Sequence, residues 1–220
     1  MKDHKTHIYF MPGMAASPAI FEHIKLPEDR FKVHLLEWLM PYKRETLAAY
    51  AKRMTECIKH KAPVLLGVSF GGILIQEMAK HTEVRKLIVI SSVKTRHELP
   101  RKMIFSRYTK IHKLLPTGLA NNIELLSKYA FGESVTKRLE LYKKYLAVRE
   151  KHYLDWSIDQ IVNWKQDVVL PNIVHIHGEK DIVFPIIYIR ECIRIKDGTH
   201  AMILNKYRWF NKNLPEILSD

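Results

Sequence analysis

The sequence predicts an α/β protein built on an open, mainly parallel β-sheet, and three observations support this prediction. Six short runs rich in Ile, Val and Leu recur along the 220 residues, helical patterns separate most of them, and a glycine-flanked serine stands between one run and the next helical pattern. Near-continuous apolarity is typical of strands covered on both faces. Alternation of strands and helices indicates parallel strands joined by right-handed crossovers.

The predicted strands are short, and each is apolar over most of its length. They are His7–Met11, Lys32–Trp38, Pro63–Val68, Lys86–Ser92, Asn172–Gly178 and Cys192–Gly198. Two helical patterns follow the second and third strands, over Thr46–His60 and Ile73–His81. The first of these places five apolar side chains on one helical face, Leu47, Tyr50, Ala51, Met54 and Ile58.

The alternation of strands and helices stops between Lys94 and Gln166. Long helical patterns fill this stretch without a convincing strand, which predicts a helical cap (residues 94–166) inserted into a core domain (residues 1–93 and 167–220). The stretch contains 15 Lys or Arg but only seven Asp or Glu. A third of the chain therefore carries most of the net charge of +13.

A charge of +13 indicates an anionic partner, such as nucleic acid, a membrane surface or an acidic ligand. No RNA-binding aromatic motif, cysteine finger or recognisable helix-turn-helix accompanies it, so no nucleic-acid partner is expected. Peripheral membrane contact and an anionic substrate both stay open. No apolar leader or membrane-length stretch is present, which predicts a soluble cytoplasmic protein. The oligomeric state is left undetermined.

The cysteines and most histidines carry no metal-site pattern. Cys57 and Cys192 are far apart and have no His or Cys at metal-ligand spacing, which predicts two reduced structural thiols. His175 and His177 alternate along one predicted strand, which favours local hydrogen bonds over metal binding. We therefore expect no metal site and no organic cofactor.

The segment Gly67-Val68-Ser69-Phe70-Gly71-Gly72 contains the pattern G-x-S-x-G. A buried strand is predicted to end at Val68 and a helix to begin right after Phe70, so Ser69 would occupy a sharp strand-to-helix turn. Side chains at positions 67 and 71 would collide with neighbouring backbone in such a turn. The pattern predicts a strained, exposed nucleophile above a helix N-terminus.

A serine nucleophile needs a base and an orienting acid, and both residue types follow in the expected chain order. Asp181 follows one predicted strand in "HIHGEKDIVFP", and His200 follows the next in "IRIKDGTHAMIL". Neighbouring parallel strands end at the same edge of a sheet, so these side chains can meet Ser69 there. Asp197 is the alternative acid, although its place before Gly198 is more typical of a turn residue.

An oxyanion hole requires two backbone N–H groups. We expect one of them to be the N–H of Phe70, which follows the nucleophile. We expect the other to be the N–H of Met14, in the loop "FMPGMAASP" after the first strand. Seven apolar or aromatic residues are candidates for the lining of an acyl pocket, namely Met14, Phe70, Met103, Phe105, Tyr108, Phe131 and Trp156. The identities of the actual substrate-binding residues stay unknown at this stage.

Over essentially its whole length the chain resembles α/β-hydrolase fold proteins with a helical cap. The resemblance lies in the Pro12-Gly13-Met14 loop, the Ser69 turn, the cap after "LIVISS", the "HGEKD" loop and the "DGTHAMIL" loop. It implies Ser69 as nucleophile, His200 as general base and acid, Asp181 as its orienter, and Met14 and Phe70 as oxyanion donors. Pro12 stands where the family often has His, and the usual first antiparallel strands are missing, which predicts a short six-stranded core.

The leading hypothesis is a serine hydrolase that cleaves a small carboxylic ester or thioester through an acyl-enzyme. Amide or carbon-carbon bond hydrolysis and lyase chemistry remain alternatives, since fold and triad do not fix the substrate. A non-catalytic protein that binds a ligand or a membrane surface is the alternative outside enzymes. We expect the cap to decide between substrates, including the acyl chain length and the leaving group.

Overall fold

A six-stranded parallel sheet forms the centre of the fold in the computed structural model, which describes residues 5–114, 117 and 144–219. The strands are β1 (Thr6–Met11), β2 (Phe31–Leu35), β3 (Val64–Val68), β4 (Lys86–Ile90), β5 (Ile173–Gly178) and β6 (Ile193–Ile195). Their order across the sheet is β2-β1-β3-β4-β5-β6. Each predicted strand therefore has an observed counterpart, and the predicted six-stranded α/β architecture is confirmed.

Burial of the strands depends on their place in the sheet. Every residue of the central strand β3 is buried, as continuous apolarity predicts. In β2, at one edge, Phe31 alone is buried, and in β6, at the other edge, Ile195 alone is buried. The expectation that the apolar runs are covered on both faces is wrong for these two strands, because an edge strand receives less cover from the flanking helices.

Alternate residues of the central strands face two separate apolar cores. The core on one face joins Tyr9, Met11 and Leu65 to helices α1 (Leu47–Met54) and α2 (Phe70–Met78). The core on the other face joins the alternate strand residues, among them Phe10 and Leu66, to the C-terminal helices α5 (Met202–Asn205) and α6 (Tyr207–Ile217). The sheet is therefore sandwiched between helical layers.

Helix α1 is shorter than its sequence pattern predicts. The Thr46 side chain caps it by accepting a hydrogen bond from the Ala49 N–H at 3.2 Å. The helix ends at Met54, a short 3₁₀ turn follows over Thr55–Cys57, and Ile58 is extended. Ile58 still packs against the core without being helical, because the chain must turn there towards β3.

Between β4 and β5 the described residues include helices α3 (Arg101–Thr109) and α4 (Lys151–Asn163). Helix α4 packs Tyr153, Leu154 and Trp156 into the core shared with α1 and α2. Residues 115–116 and 118–143, including the pocket candidate Phe131, lie outside the described residues, and the cap boundaries stay predictions. In the described part of the chain no helix has the length and apolarity that crossing a membrane requires.

The strand order reverses direction next to β1. The chain runs from β1 outward to β2 and then returns to β3 on the opposite side of β1. In parallel α/β sheets a crevice opens at the carboxyl ends of the strands where the order reverses, and ligands bind in it. The loop after β1 and the turn after β3, which carries Ser69, both lie at this crevice.

Candidate active site

Ser69 is held in a strained turn between β3 and α2. Its backbone has φ 53° and ψ −121°, in the positive-φ range that residues with a side chain rarely adopt. The Ser69 N–H donates to the Ile90 carbonyl oxygen at 2.9 Å, and its carbonyl accepts from the Ser92 hydroxyl at 2.7 Å. These bonds on both sides fix the turn against β4 and leave the half-buried Ser69 hydroxyl at the crevice.

Two glycines allow the turn to pack. A Cβ at Gly67 would overlap the Gly71 carbonyl, and a Cβ at Gly71 would overlap the carbonyl oxygens of Met11 and Pro12. The second overlap shows that the loop after β1 passes directly against the start of α2. The steric explanation for the glycines of G-x-S-x-G therefore agrees with the contacts in the structure.

Ser69, His200 and Asp181 form a hydrogen-bonded chain. The Nδ1 atom of His200 lies 2.9 Å from Oδ2 of Asp181, and its Nε2 atom lies 2.9 Å from Oγ of Ser69. An ionised carboxylate only accepts hydrogen bonds, so Nδ1 carries the proton and donates it to Asp181. The Nε2 lone pair is then oriented to accept the Ser69 proton.

Asp181 is buried, and both of its oxygens have partners. Oδ1 accepts from the Val183 and Phe184 backbone N–H groups at 2.8 and 2.9 Å, which leaves Oδ2 directed at His200. Burial by itself raises the pKa of the Asp181 carboxyl, but the neighbouring His200 outweighs it, helped by the hydrogen bond from the Phe184 N–H. The net effect holds the pKa of Asp181 below its ordinary value, so the group stays a carboxylate.

The loop after β1 brings Gly13 and Met14 to the serine. A Cβ built on Gly13 would lie 3.3 Å from the Ser69 Cβ and 4.0 Å from its Oγ. Met14 is half-buried, and Phe70 is the first residue of α2. Among the described residues neither the Met14 N–H nor the Phe70 N–H has a hydrogen-bond acceptor. Both are therefore available to a negatively charged oxygen beside Ser69.

Solved structures from bacteria are similar to the chain over almost its full length. A hydrolase from Oleispira antarctica aligns with a TM-score of 0.73 at 13% sequence identity, covering 98% of this chain and 92% of that one. An esterase from Exiguobacterium antarcticum gives 0.71 at 18% identity, and a bromoperoxidase from Bacillus anthracis gives 0.72 at 16%, each with the same 98% and 92% coverage.

The chain has the α/β-hydrolase fold. The resemblance that the sequence motifs predict is thereby confirmed at the level of fold. A scan against protein-family models and a search of curated protein sequences find no match. At these identities the similarity establishes the α/β-hydrolase fold alone, and the chemistry of the site is argued from its own geometry.

Asp197, the alternative acid, occupies a different place in this α/β-hydrolase fold. It is exposed, has φ 56°, and pairs with Lys180 at 2.6 Å. That contact lowers the pKa of Asp197 through the Lys180 ammonium and involves no atom of His200. The structure thus brings Asp181, and not Asp197, to the histidine.

Two aromatic residues that belong to none of the sequence motifs form hydrogen bonds with the loop after β1. The Trp38 indole N–H donates to the Gly13 carbonyl at 2.8 Å, and the Trp38 ring stacks on Phe70 with centroids 5.0 Å apart. The Tyr153 hydroxyl accepts from the Ala15 N–H at 3.3 Å. Burial raises the pKa of Tyr153 well above its ordinary value, so it stays a neutral phenol. Sequence reasoning missed both residues as loop supports.

The buried histidines of β5 lie behind the acid. The His177 Nε2–H donates to the Phe184 carbonyl at 2.8 Å and lies 3.6 Å from Oδ2 of Asp181. His175 donates from its Nε2 to Nδ1 of His177 at 3.1 Å. Burial lowers the pKa of both imidazoles, so both are neutral. The alternation of His175 and His177 was the sequence signal for this shared environment.

The candidate residues for an acyl pocket differ in how far their side chains are exposed to solvent. Phe70 and Trp156 are buried in the core with their rings 5.8 Å apart, whereas Phe105 and Tyr108 on α3 are 62% and 73% exposed. Met14 and Met103 are partly buried and pack at the margin of the same core. A lining made of these residues stays a prediction.

Proposed function

We propose that the protein is a serine hydrolase that cleaves a small carboxylic ester or thioester through an acyl-enzyme. The observation that carries this proposal is the hydrogen-bonded chain from Asp181 through His200 to the Ser69 hydroxyl, with 2.9 Å at each step. A serine with a positioned imidazole and a buried orienting carboxylate is an arrangement that supports nucleophilic acyl transfer.

Acylation begins when Ser69 Oγ attacks the substrate carbonyl carbon. His200 Nε2 removes the hydroxyl proton, and Asp181 stabilises the imidazolium that forms. The carbonyl oxygen becomes an oxyanion, which the N–H groups of Met14 and Phe70 bind. The positive end of the α2 dipole lies at Phe70 and adds to this stabilisation.

Collapse of the tetrahedral intermediate breaks the bond to the leaving group. The imidazolium of His200 gives its proton to the departing alkoxide or thiolate, and the acyl group stays on Ser69. Water then enters and adds to the acyl carbonyl carbon while His200 takes one of its protons. The second tetrahedral intermediate breaks its bond to Ser69 Oγ, the His200 imidazolium returns the proton to that oxygen, and the carboxylic acid leaves. None of these steps uses a metal or an organic cofactor.

Similar structures described as a hydrolase, an esterase and an enol-lactonase support ester chemistry on this fold. The preference for an ester or thioester over an amide rests on the leaving group, because an alkoxide or a thiolate is a better leaving group than an amide nitrogen, which must be protonated before it departs. The excess positive charge of the chain suits an anionic substrate.

Steady-state hydrolysis by the wild-type protein and by Ser69→Ala tests the proposal. Nitrophenyl esters and acyl thioesters of increasing acyl length serve as substrates, and Ser17→Ala is the matched control, because the Ser17 side chain makes no capping bond. We expect Ser69→Ala to lose about 10⁴-fold or more in kcat and the control to keep its rate. Turnover by Ser69→Ala at the wild-type rate would overturn the proposal.

A further inference from the structure

Three histidines lie together at the edge of the sheet, far from Ser69. His7 is in β1, His34 is in β2, and His60 is in the segment that leads into β3. One ring nitrogen from each lies within 4.8 Å of the other two. His7 Nδ1 lies 2.9 Å from His34 Nε2, and the His7 and His60 rings are parallel, with centroids 3.5 Å apart. All three side chains are half-buried.

The three-histidine cluster is separate from the candidate active site. Ile8 pairs with Val64 in the sheet, so His7 lies one position before the start of β3, whereas Ser69 follows its end. Six residues of parallel strand at about 3.3 Å each place the two about 20 Å apart. The cluster therefore needs an explanation other than acyl transfer.

We propose that His7, His34 and His60 form a binding site for a divalent transition-metal ion of the Zn²⁺ type. Imidazole nitrogen is a preferred ligand of Zn²⁺, Cu²⁺ and Ni²⁺, whereas Mg²⁺ and Ca²⁺ require several oxygen ligands. Three protein nitrogens leave one position of a tetrahedral ion for water. Zn²⁺ is the ion that we test first, because it accepts tetrahedral coordination by three imidazole nitrogens and one water.

Ion binding at this site would involve rotation of the three side chains and the movement of one proton. Zn–N bonds of about 2.0–2.1 Å in tetrahedral geometry place the ligand nitrogens about 3.4 Å apart, against separations of up to 4.8 Å in the structure. An ion lies in the plane of each imidazole that it binds, so the stacked His7 and His60 rings must tilt apart. The proton in the His7–His34 bond moves to a non-ligating ring nitrogen, and each imidazole stays neutral.

The buried Tyr9 supports two of the three ligands. Its hydroxyl lies 2.6 Å from Nδ1 of His60 and accepts from the Lys59 N–H at 2.9 Å, and its ring stacks on His34 with centroids 4.6 Å apart. A metal-binding histidine usually donates its other ring N–H to a fixed acceptor. The Tyr9 hydroxyl is such an acceptor, and it leaves Nε2 of His60 for the ion.

An ion and its water can reach the cluster from solvent. An open groove of about 380 Å³ has His34, His60 and Tyr9 in its wall, together with the exposed Cys57. Lys59 and Glu37 also line this groove, and Lys32 lies two residues before His34 in β2. Because these ammonium groups repel a cation, we expect micromolar rather than nanomolar affinity.

Isothermal titration of chelator-treated protein with Zn²⁺ tests the site. We expect one ion per chain for the wild type, at least tenfold weaker binding for His34→Asn and for His60→Asn, and about tenfold weaker binding for Tyr9→Phe. The matched control is His81→Asn, which removes an exposed imidazole outside the cluster and leaves binding unchanged. Ser69→Ala also binds Zn²⁺ normally, whatever its effect on hydrolysis.

A second measurement keeps the test decisive if an Asn variant is unstable. If Co²⁺ binds the wild-type protein through nitrogen ligands in tetrahedral geometry, the complex absorbs visible light strongly. Zn²⁺ then displaces the Co²⁺ and abolishes this absorption. Co²⁺ bound loosely at the surface gives only the weak bands of the hydrated ion. The proposal is overturned if the wild type shows no stoichiometric site, if folded variants bind as tightly as wild type, or if the Co²⁺ bands are weak.

Discussion

The Nε2 atom of His200 lies 2.9 Å from the Oγ atom of Ser69, although 131 residues separate the two in sequence. The turn after β3 holds one partner and the loop after β6 holds the other. Gly178 at the end of β5 and Gly198 in that loop are in backbone contact so close that a Cβ on either would overlap the other. Close backbone packing therefore holds the loop that carries His200 against the end of β5.

Asp181→Asn tests the role of the acid. An amide at this position no longer fixes the His200 tautomer or stabilises the imidazolium, so we expect kcat for ester hydrolysis to fall by about 10⁴-fold. Asp197→Asn is the control, because Asp197 pairs with Lys180 on the surface, and it keeps kcat within about twofold. Equal losses in the two variants would contradict the assignment of Asp181.

The depressed pKa of Asp181 also predicts how stability depends on pH. Its folded pKa is below the ordinary value of 3.8, so the folded protein binds this proton less readily than the unfolded chain. The contribution to stability is complete above pH 3.8 and is lost as the pH falls from there through the folded pKa. The free energies of unfolding in urea of the wild type and of Asp181→Asn should therefore differ by an amount that shrinks below pH 4. A difference in the free energy of unfolding that grows at lower pH would contradict this direction of the pH dependence.

Trp38→Phe tests whether Trp38 positions the loop after β1 rather than only stabilising the fold. The variant loses the bond from the indole N–H to the Gly13 carbonyl and keeps an aromatic ring against Phe70. Displacement of the Met14 N–H weakens oxyanion binding, so we expect kcat to fall about 10-fold to 100-fold with little change in KM. Trp209→Phe is the control, because Trp209 is partly buried and packs against the core on the other sheet face. The prediction fails if the two variants have the same kcat.

Gly71→Ala tests the close approach of the β1 loop to α2. The added methyl group overlaps the Pro12 and Met11 carbonyl oxygens, and backbone must shift to relieve the overlap. We expect about 1–3 kcal/mol of lost stability in denaturant unfolding, together with reduced activity. Gly13→Ala meets its nearest atom at 3.3 Å and should lose less stability. A larger loss for Gly13→Ala than for Gly71→Ala would be evidence against this packing.

The parts of the fold that sequence reasoning predicted are those set by local constraints. The six strands follow from apolar runs, and the Ser69 turn follows from glycines whose necessity is steric and confined to a few residues. The order of Ser69, Asp181 and His200 along the chain, with strand ends before each, is likewise visible in the sequence. The structure then places these three side chains in hydrogen-bond contact.

The features that the sequence did not predict depend on contacts between segments that are distant along the chain. Trp38 and Tyr153 support the loop after β1 from β2's C-terminal continuation and from α4, and no local pattern distinguishes them from other core aromatics. His7 and His34 lie close together because β1 pairs with β2, and His60 reaches them from the segment before β3. Helix α1 ends early because the chain must reach β3, which helical periodicity does not encode.

Active-site labelling with a fluorophosphonate, followed by mass spectrometry to locate the modified residue, tests whether Ser69 is an activated nucleophile. We expect stoichiometric modification of Ser69 in the wild type, none in Ser69→Ala, and wild-type labelling in Ser17→Ala. An activated serine reacts because His200 removes its proton during attack on phosphorus. Labelling of Ser69→Ala at the wild-type rate, or no labelling of folded wild-type protein, would contradict the claim that Ser69 is an activated nucleophile.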